Sequence, residues 1–533
     1  MLSDVLGIKK GTRKENAKRY GCTLTYCCIL QNQITRILGG DLSTQRNNGR
    51  INLIETEGLW RIHGAALRLL AETGMRVECS EFYGPLEACG AKVSRPSEVV
   101  KFPSQLVERT IEGVRCQIAG GKQQCIFNGV ISSRTGGTIE AKFGGACIEY
   151  LDWEKQEVRQ PNEADLVRLV QLGHALSDVA LVGNPVVLLH DGDGRPVAPQ
   201  VQRIRTAALI AKHTDKCGPT EVWNEQELEF QVELGIVVRG SLDAYIARPC
   251  FITAKETIAP LVFPENDGKV LLNLARRGLP CTVVPMPLSG ATCPVDPTSN
   301  VVMTVAEALG AMTAIRSVCP DAMVAGGVIS GVMDMRSGSA TFCGPEVLWQ
   351  DLAAAQLFEQ LYGQDFGIGT GYIDASYPGP QSVAERLLRF WVSGMSGRTN
   401  YPVGILSHGK CFSPEQAMID LEIAQYIDRY LRFGKIEDTG LGLDLIQQVG
   451  IGGSFIAEED TARNFRRCLW KPTLFNRATS QGLSEDRRKD MVGSAHEQCK
   501  ALLARSEPFH VAPEKEREID RIVSAAESAL AGR

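Results

Sequence analysis

The chain has no Cys-x-x-Cys, no His-x-x-x-His, no Gly-x-Ser-x-Gly and no excess of either charge. Each absence excludes a class. Its seven histidines, at positions 63, 174, 190, 213, 408, 496 and 510, include no pair at ligand spacing, so no dedicated metal site is expected. The His190-Asp191-Gly192-Asp193 run reads as a polar turn. Without a nucleophile elbow, or a Cys beside an obvious His partner, serine or cysteine hydrolysis is not expected. A net charge of −5 on a mixed surface does not suit a nucleic-acid binder. No apolar run reaches the ~18 residues of a membrane span, and no secretory leader is expected. The cysteines number seventeen, an odd count scattered through predicted strands and helices. That usage fits thiols acting as small core residues in a reducing cytoplasm.

What is present is a repeated unit. Short apolar runs end in Gly/Pro-rich polar loops, each followed by an amphipathic stretch: Val179–Pro185, Cys217–Trp223, Cys250–Lys255, Cys281–Met286, Met323–Ile329, Phe366–Ile373 and Tyr401–Leu406. Strands alternating with helices predict a parallel α/β sheet. Seven near-regular repeats predict a TIM-type (β/α)8 barrel over 151–480, with an eighth strand sought in Ile446–Phe455. Chemistry then sits at the C-terminal strand ends. The remaining regions are a basic extension (1–50), with nine Lys or Arg against three Asp or Glu, a helical and small β segment (51–150) and a C-terminal helical tail (481–533). Leu59, Ile62, Ala66 and Leu69–Leu70 predict a helix ended by Gly74. Residues 115–152 alternate like an antiparallel layer, and 298–318 and 415–433 read as barrel helices.

The stretch Asp365 to Gly371 imitates the Gly-rich loop of S-adenosylmethionine methyltransferases. Such a loop needs a helix directly after it, whereas Tyr372-Ile373-Asp374 and a Pro-containing turn intervene. The plainer reading is that glycines in a strand make room for a ligand or close backbone packing.

Several segments, in order, resemble the trimethylamine methyltransferase family. They are Pro285–Thr292, Ala306–Leu309, Asp334–Gly338, Gly344–Glu346, Tyr372–Ala375 with Gln381, Asp420 with Glu422, Leu443-Asp444 through Gly450, Gly452–Phe455, Trp470–Pro472 and Leu474–Arg477. With a helix at Glu55–Gly74, the resemblance spans residues 55–530 and stops short of the extension. It implies a methyl transfer in which the protein holds a methylated amine and a separate corrinoid protein presents cobalamin. No cofactor is then bound tightly by this chain, which also lacks the Asp-x-His-x-x-Gly motif of corrinoid carriers. Trimethylamine members use pyrrolysine, and this sequence has none; the matching column lies near Gly371–Ser376. The resemblance of members without pyrrolysine to betaine demethylases makes glycine betaine, or a similar quaternary amine, the expected substrate.

A quaternary ammonium donates no hydrogen bond and is held by aromatic faces and carboxylates. Trp223, Tyr372, Tyr377, Glu221, Glu256 and Asp374 stand at predicted strand ends, with Tyr372 and Asp374 the catalytic candidates. Arg336 and His408 are candidates for a betaine carboxylate; Asp334 pairing with Arg336, or a buried structural His408, are the alternatives. Gly452 and Gly453 allow close approach of the corrinoid partner, or simply make a tight turn. Two further readings stay open: methylation from S-adenosylmethionine, and a silent amine-binding barrel. A homo-oligomer is possible; neither membrane nor nucleic acid is an expected partner.

Overall fold

In the computed structural model the described residues are 52–121, 126–127, 130–131, 140–252, 254–398, 400–431, 441–479 and 490–530. The extension 1–50 lies outside them. Helix α1 (Thr56–Glu72) buries Leu59, Ile62, Ala66 and Leu70, as its three-to-four spacing requires. Gly74 stops it at φ +86°, donating its N–H to Leu69 O at 3.0 Å. Helix α2 (Ser104–Ala119) comes next.

The expected antiparallel layer at 115–152 is only partly there. Residues 115–119 close α2, while Ile126–Phe127 pairs antiparallel with Val130–Ile131, and Glu149–Asp152 with Glu157–Arg159. Strand β1 (Glu140–Phe143) is instead parallel to both Val179–Val182 and Asn400–Pro402. Alternation reveals a half-buried strand but not its partner, which here lies some 260 residues away in sequence.

From β1 onward strands and helices alternate. Helix α3 (Glu163–Ala175) leads to β2 (Val179–Val182) and α4 (Pro199–His213). A single parallel bridge, Val182 to Cys217, precedes α5 (Glu225–Arg239). Then come β3 (Lys255–Glu256), α6 (Glu265–Arg276), β4 (Cys281–Val284), α7 (Pro297–Val318), β5 (Val324–Val328), α8 (Pro345–Leu357), β6 (Phe366–Ile368), α9 (Pro380–Met395), β7 (Asn400–Pro402) and α10 (Pro414–Leu431). Among β1 to β7 the parallel pairings form two ladders, β7-β1-β2 and β3-β4-β5-β6. Single bonds cross between them: Phe251 N–H donates to Gly218 O (3.0 Å), and the Thr370 hydroxyl to Asn400 O (3.3 Å). The result is a mixed α/β fold built on parallel strands.

No strand occupies 446–455. Leu443–Val449 is a helix, α11, followed by a glycine turn. The additional parallel strand is β1, in the region expected to be antiparallel. A helical run of apolar residues and a short strand carry the same composition, which explains the misplacement.

Helix α7 is 22 residues long with a mean hydropathy of 1.4, enough for a membrane span by length and composition. The sequence holds no unbroken apolar run of that length, since Thr304 and Glu307 interrupt this one, but an average over the helix absorbs them. In the fold 72% of that window is buried, as an all-round apolar helix in the core of a large protein must be. Its Glu307 carboxylate accepts from the Thr257 hydroxyl (2.6 Å) and Leu261 N–H (2.8 Å), tying α7 to the loop after β3.

The C-terminal ends of β6 and β7 are held by one fully buried guanidinium. Arg386 on α9 donates to Thr370 O (3.1 Å), Gly371 O (3.0 Å), Ile405 O (2.7 Å) and Asp420 Oδ1 (3.0 Å). Asp420, equally buried, accepts from Gly404 N–H and Gln416. Glu422, two residues further along α10, accepts the N–H groups of Thr473, Leu474 and Phe475 and so docks the segment after Trp470. The described tail is helical, α12 (Met491–Arg505) and α13 (Pro513–Leu530), with α13 tied to α4 through Lys212 and Asp520 (2.6 Å).

Replacing Arg386 with Leu should cost about 3–5 kcal/mol, because it strands the buried Asp420 carboxylate. Guanidinium-induced unfolding should show the lower midpoint; an unchanged midpoint would contradict this account.

Candidate active site

Three of the candidate side chains share one electrostatic environment: Glu221, Glu256 and Tyr372. Lys255 and Glu256 are neighbours on β3, and a strand sends neighbours to opposite faces. The Lys255 ammonium turns toward α6, donating to Val222 O (2.7 Å) and pairing with Asp267 (2.7 Å). Glu256 therefore faces the other way. Burial pushes its carboxyl up to about 7, with Asp267 and Glu221 adding to the rise and Lys255 opposing it. Burial also raises Glu221, against the pull of Arg203 and Lys255. The Tyr372 hydroxyl is raised by burial, and then by Glu256, Cys147 and Glu221. Two carboxylates and a phenol thus lie where charge is poorly solvated.

The loop carrying Tyr372 is positioned from several sides. Arg386 holds the carbonyls of Thr370 and Gly371 just before it. Glu385 Oε2 accepts the N–H groups of Asp374 (2.9 Å) and Ala375 (3.0 Å), while Gln381 donates to its other oxygen. Ser407 N–H bonds Ala375 O, and His408 N–H bonds Ile373 O. Ser407 and His408 both take left-handed φ values, +51° and +59°. Such strain persists only where the surroundings dictate it. The next residue, Gly409 at φ +90°, lies against the phenol: a Cβ there would come 2.4 Å from Tyr372 Cε1. Phe342 packs beside the same ring, centroids 5.6 Å apart.

The other candidates stand in different settings. Asp374 accepts Phe342 N–H (2.7 Å) and Cys343 N–H (3.3 Å), with His408 Nε2 at 3.5 Å, so its carboxylate is engaged by backbone. Trp223 is 56% exposed, and the Arg203 guanidinium sits 3.9 Å from its ring centroid. Arg203 is itself fixed by both oxygens of Glu227. One face of Trp223 is therefore already covered by a cation. Tyr377 is exposed in the loop before α9. Arg336 is exposed in a turn that Asp334 makes by accepting Arg336 N–H (3.0 Å) and the Ser337 hydroxyl (2.6 Å). Its guanidinium enters no ion pair among the described residues. Gly450 and Gly452 have positive φ, and a Cβ on Gly453 would meet Val449 O at 2.4 Å, which accounts for a tight turn there.

The glycines of 365–371 lie in β6 and the turn after it, and α9 begins only at Pro380. Among the described residues no three His, Cys, Asp or Glu side chains group as metal ligands. Sequence reasoning missed Glu385, Arg386, Cys147 and Lys142. Lys142 is a buried strand lysine brought down to about 8 by burial, with Glu140 opposing the shift. The only signal in the sequence was a charged residue at an apolar strand position.

The model of the trimethylamine methyltransferase family matches residues 37–530. The chain belongs to that family. The match starts at residue 37, inside the extension that the motifs had left out. Trimethylamine methyltransferase MttB of Desulfitobacterium hafniense is 25% identical over 460 residues, covering 86% of this chain and 90% of that protein. Glycine betaine methyltransferase of the same species is 22% identical over 478 residues, covering 89% and 97%. The solved monomethylamine methyltransferase MtmB of Methanosarcina barkeri aligns with a TM-score of 0.46 at 11% identity, over 94% of this chain and 91% of that one.

Two outcomes test the site's physics. An unfolded Glu256 titrates near 4.5 and the folded one near 7, so the fold binds the proton more tightly. That contribution is complete below pH 4.5 and lost as pH rises through 7. Glu256→Gln should therefore raise the thermal midpoint by roughly 1–3 °C at pH 8 and leave it unchanged near pH 4.5; scanning fluorimetry at both pH values decides. Gly409→Ala combines a positive φ with a clash, and should lower the midpoint and alter the near-UV dichroism of the Tyr372 region. An unperturbed spectrum would mean that Gly409 does not position the ring.

Proposed function

We propose that this protein transfers a methyl group from a quaternary amine, glycine betaine or a close relative, to a corrinoid carried by a partner protein. The observation that carries the reading is the partly buried, electrostatically coupled Glu221–Glu256–Tyr372 group. Two carboxylates whose charged forms are disfavoured by burial gain most from a ligand with a permanent positive charge and no N–H to satisfy. The membership of a glycine betaine methyltransferase in the same set of relatives, and the absence of pyrrolysine, support the amine class.

The two ladders are, in this reading, arcs of one (β/α)8 barrel, with the bonds from Phe251 to Gly218 and from Thr370 to Asn400 at their junctions. Glu221, Glu256 and Tyr372 then meet at its C-terminal mouth, where such folds keep their chemistry. Glu256 and Glu221 face the ammonium, and the Tyr372 ring walls it. His408 and Arg336 receive the carboxylate, Trp223 and Tyr377 form the outer rim, and Asp374 sets the loop on which Tyr372 rides. The docked corrinoid supplies the nucleophile toward the methyl carbon. This chain supplies orientation, exclusion of water and charge. As the C–N bond breaks, the electron pair stays on nitrogen and a neutral tertiary amine leaves, so no proton donor is required. Such a reaction fits a cytoplasmic setting.

The test is demethylation by the purified protein with cob(I)alamin and a panel of trimethylamine, glycine betaine, proline betaine, carnitine and choline. Methylcobalamin absorbance should appear with a betaine, and Glu256→Gln should slow it by at least tenfold. Affinity for the betaine should rise as pH climbs through 7, because the ionised carboxylate is the binding form. Silence across the panel, repeated with a cognate corrinoid protein, would leave an amine-binding barrel without the reaction.

A further inference from the structure

A cavity of about 90 Å³ lies between the hairpin of Glu149–Asp152 and Glu157–Arg159, helix α3, the start of α10 and the tail helix α12. None of Glu221, Glu256 and Tyr372 lines it. One water needs about 10–15 Å³ of such space, so the cavity has room for a molecule of about six non-hydrogen atoms. Part of its polar wall is used up within the fold. Arg159 donates to Asp152 (3.0 Å) and to both oxygens of Asp165 (2.6 and 2.7 Å), and lies over the Tyr150 ring, 4.9 Å from its centroid. Glu415, only 3% exposed, accepts from His496 Nδ1 (2.9 Å) and from the Ser413 hydroxyl (2.8 Å).

Other groups on the wall are left open. Tyr150 is 6% exposed, yet its hydroxyl makes no hydrogen bond among the described residues. Burial, and then the Glu415 carboxylate, push its pKa up, so the phenol keeps its hydrogen. Because Nδ1 of His496 donates to Glu415, the neutral ring presents Nε2 as an acceptor. That Nε2 stands 3.6 Å from Glu154 Oε1, which Lys500 also approaches at 3.1 Å. The two acceptors thus face each other with no hydrogen between them. Arg168, on α3, enters no ion pair among the described residues, while its charge reaches both Tyr150 and Glu154.

These open groups define the chemistry of an occupant. Tyr150 Oη, His496 Nε2 and Glu154 can together accept three hydrogens, which is the number a primary ammonium donates. Trp153, on the same wall, adds an aromatic face. Arg168 offers a planar fork for a carboxylate. A simple cation would be opposed by Arg168, and a simple anion by Glu154 and Glu415. A small molecule that carries both charges suits both sides of the cavity.

We propose that this cavity is a further binding site, for a small amino acid whose ammonium is received by Tyr150, Glu154 and His496 and whose carboxylate is received by Arg168. The bound molecule then ties the hairpin, α3 and the tail helix together, three segments far apart in the sequence.

Calorimetric titration of the full chain with L-alanine should give saturable heat. Acetate and ethylammonium, each carrying one of the two charges, should bind at least tenfold more weakly. Arg168→Gln and Tyr150→Phe should each weaken L-alanine at least tenfold, with far-UV dichroism unchanged. Saturating L-alanine should also raise the thermal midpoint of the wild-type chain and leave that of Arg168→Gln where it was. Absence of saturable heat with L-alanine overturns the proposal. So does L-alanine binding that survives both substitutions, which would put the amino acid elsewhere on the molecule. Acetate or ethylammonium binding as tightly as L-alanine overturns the assignment to a molecule of both charges.

Discussion

The arrangement of the loops around Tyr372 and His408 depends on the Arg386 guanidinium. It has no solvent, one carboxylate to neutralise it, and three backbone carbonyls from two strand ends to satisfy its remaining N–H groups. A lysine has no planar fork and cannot reach those carbonyls together. Because the guanidinium bonds Gly371 and Ile405 at once, the start of the Tyr372 loop and the approach to His408 are set by one rigid group. Asp420 extends the hold to Gly404 and Gln416, and Glu422 extends it to the segment after Trp470. Such a buried pair costs desolvation and returns geometry, and here the geometry it fixes is that of the loops around Tyr372 and His408.

Around that frame charge is distributed by facing direction. Lys255 spends its positive charge on Val222 and Asp267, away from Glu256. Arg203 is absorbed by Glu227 and by the ring of Trp223. The carboxylates at positions 221 and 256 thus have nearby cations that moderate them, yet Glu256 still titrates near neutrality. A site in this condition responds strongly to a cation that cannot lose its charge. Aromatic walls and desolvated carboxylates then act together, since weak solvation strengthens both.

The legible parts of the fold were those written in local pattern. The helix from Thr56, helices α7 and α10, and the helical tail follow from apolar spacing and their glycine and proline ends. Most of the parallel strands follow from short apolar runs before Gly/Pro loops. The roles behind the family motifs were not legible. Ala306-Glu307 proves to be a tether for the loop after β3, and Asp420 and Glu422 are receivers of backbone N–H groups. Asp374, expected at the chemistry, accepts N–H from Phe342 and Cys343. A carboxylate looks the same in sequence whether it meets substrate or backbone.

The sequence by itself determined the family and the alternation of strands and helices, because those properties are local or ordered along the chain. Tertiary structure decided that β1 pairs with β7 and β2, that Glu256 rather than Lys255 faces the group with Glu221 and Tyr372, and that Arg203 covers Trp223. It also decided that the helix Glu459–Cys468 buries none of its residues. Each of these depends on what lies opposite a side chain in space, and on how far water is excluded from it. Neither is carried by the residue itself.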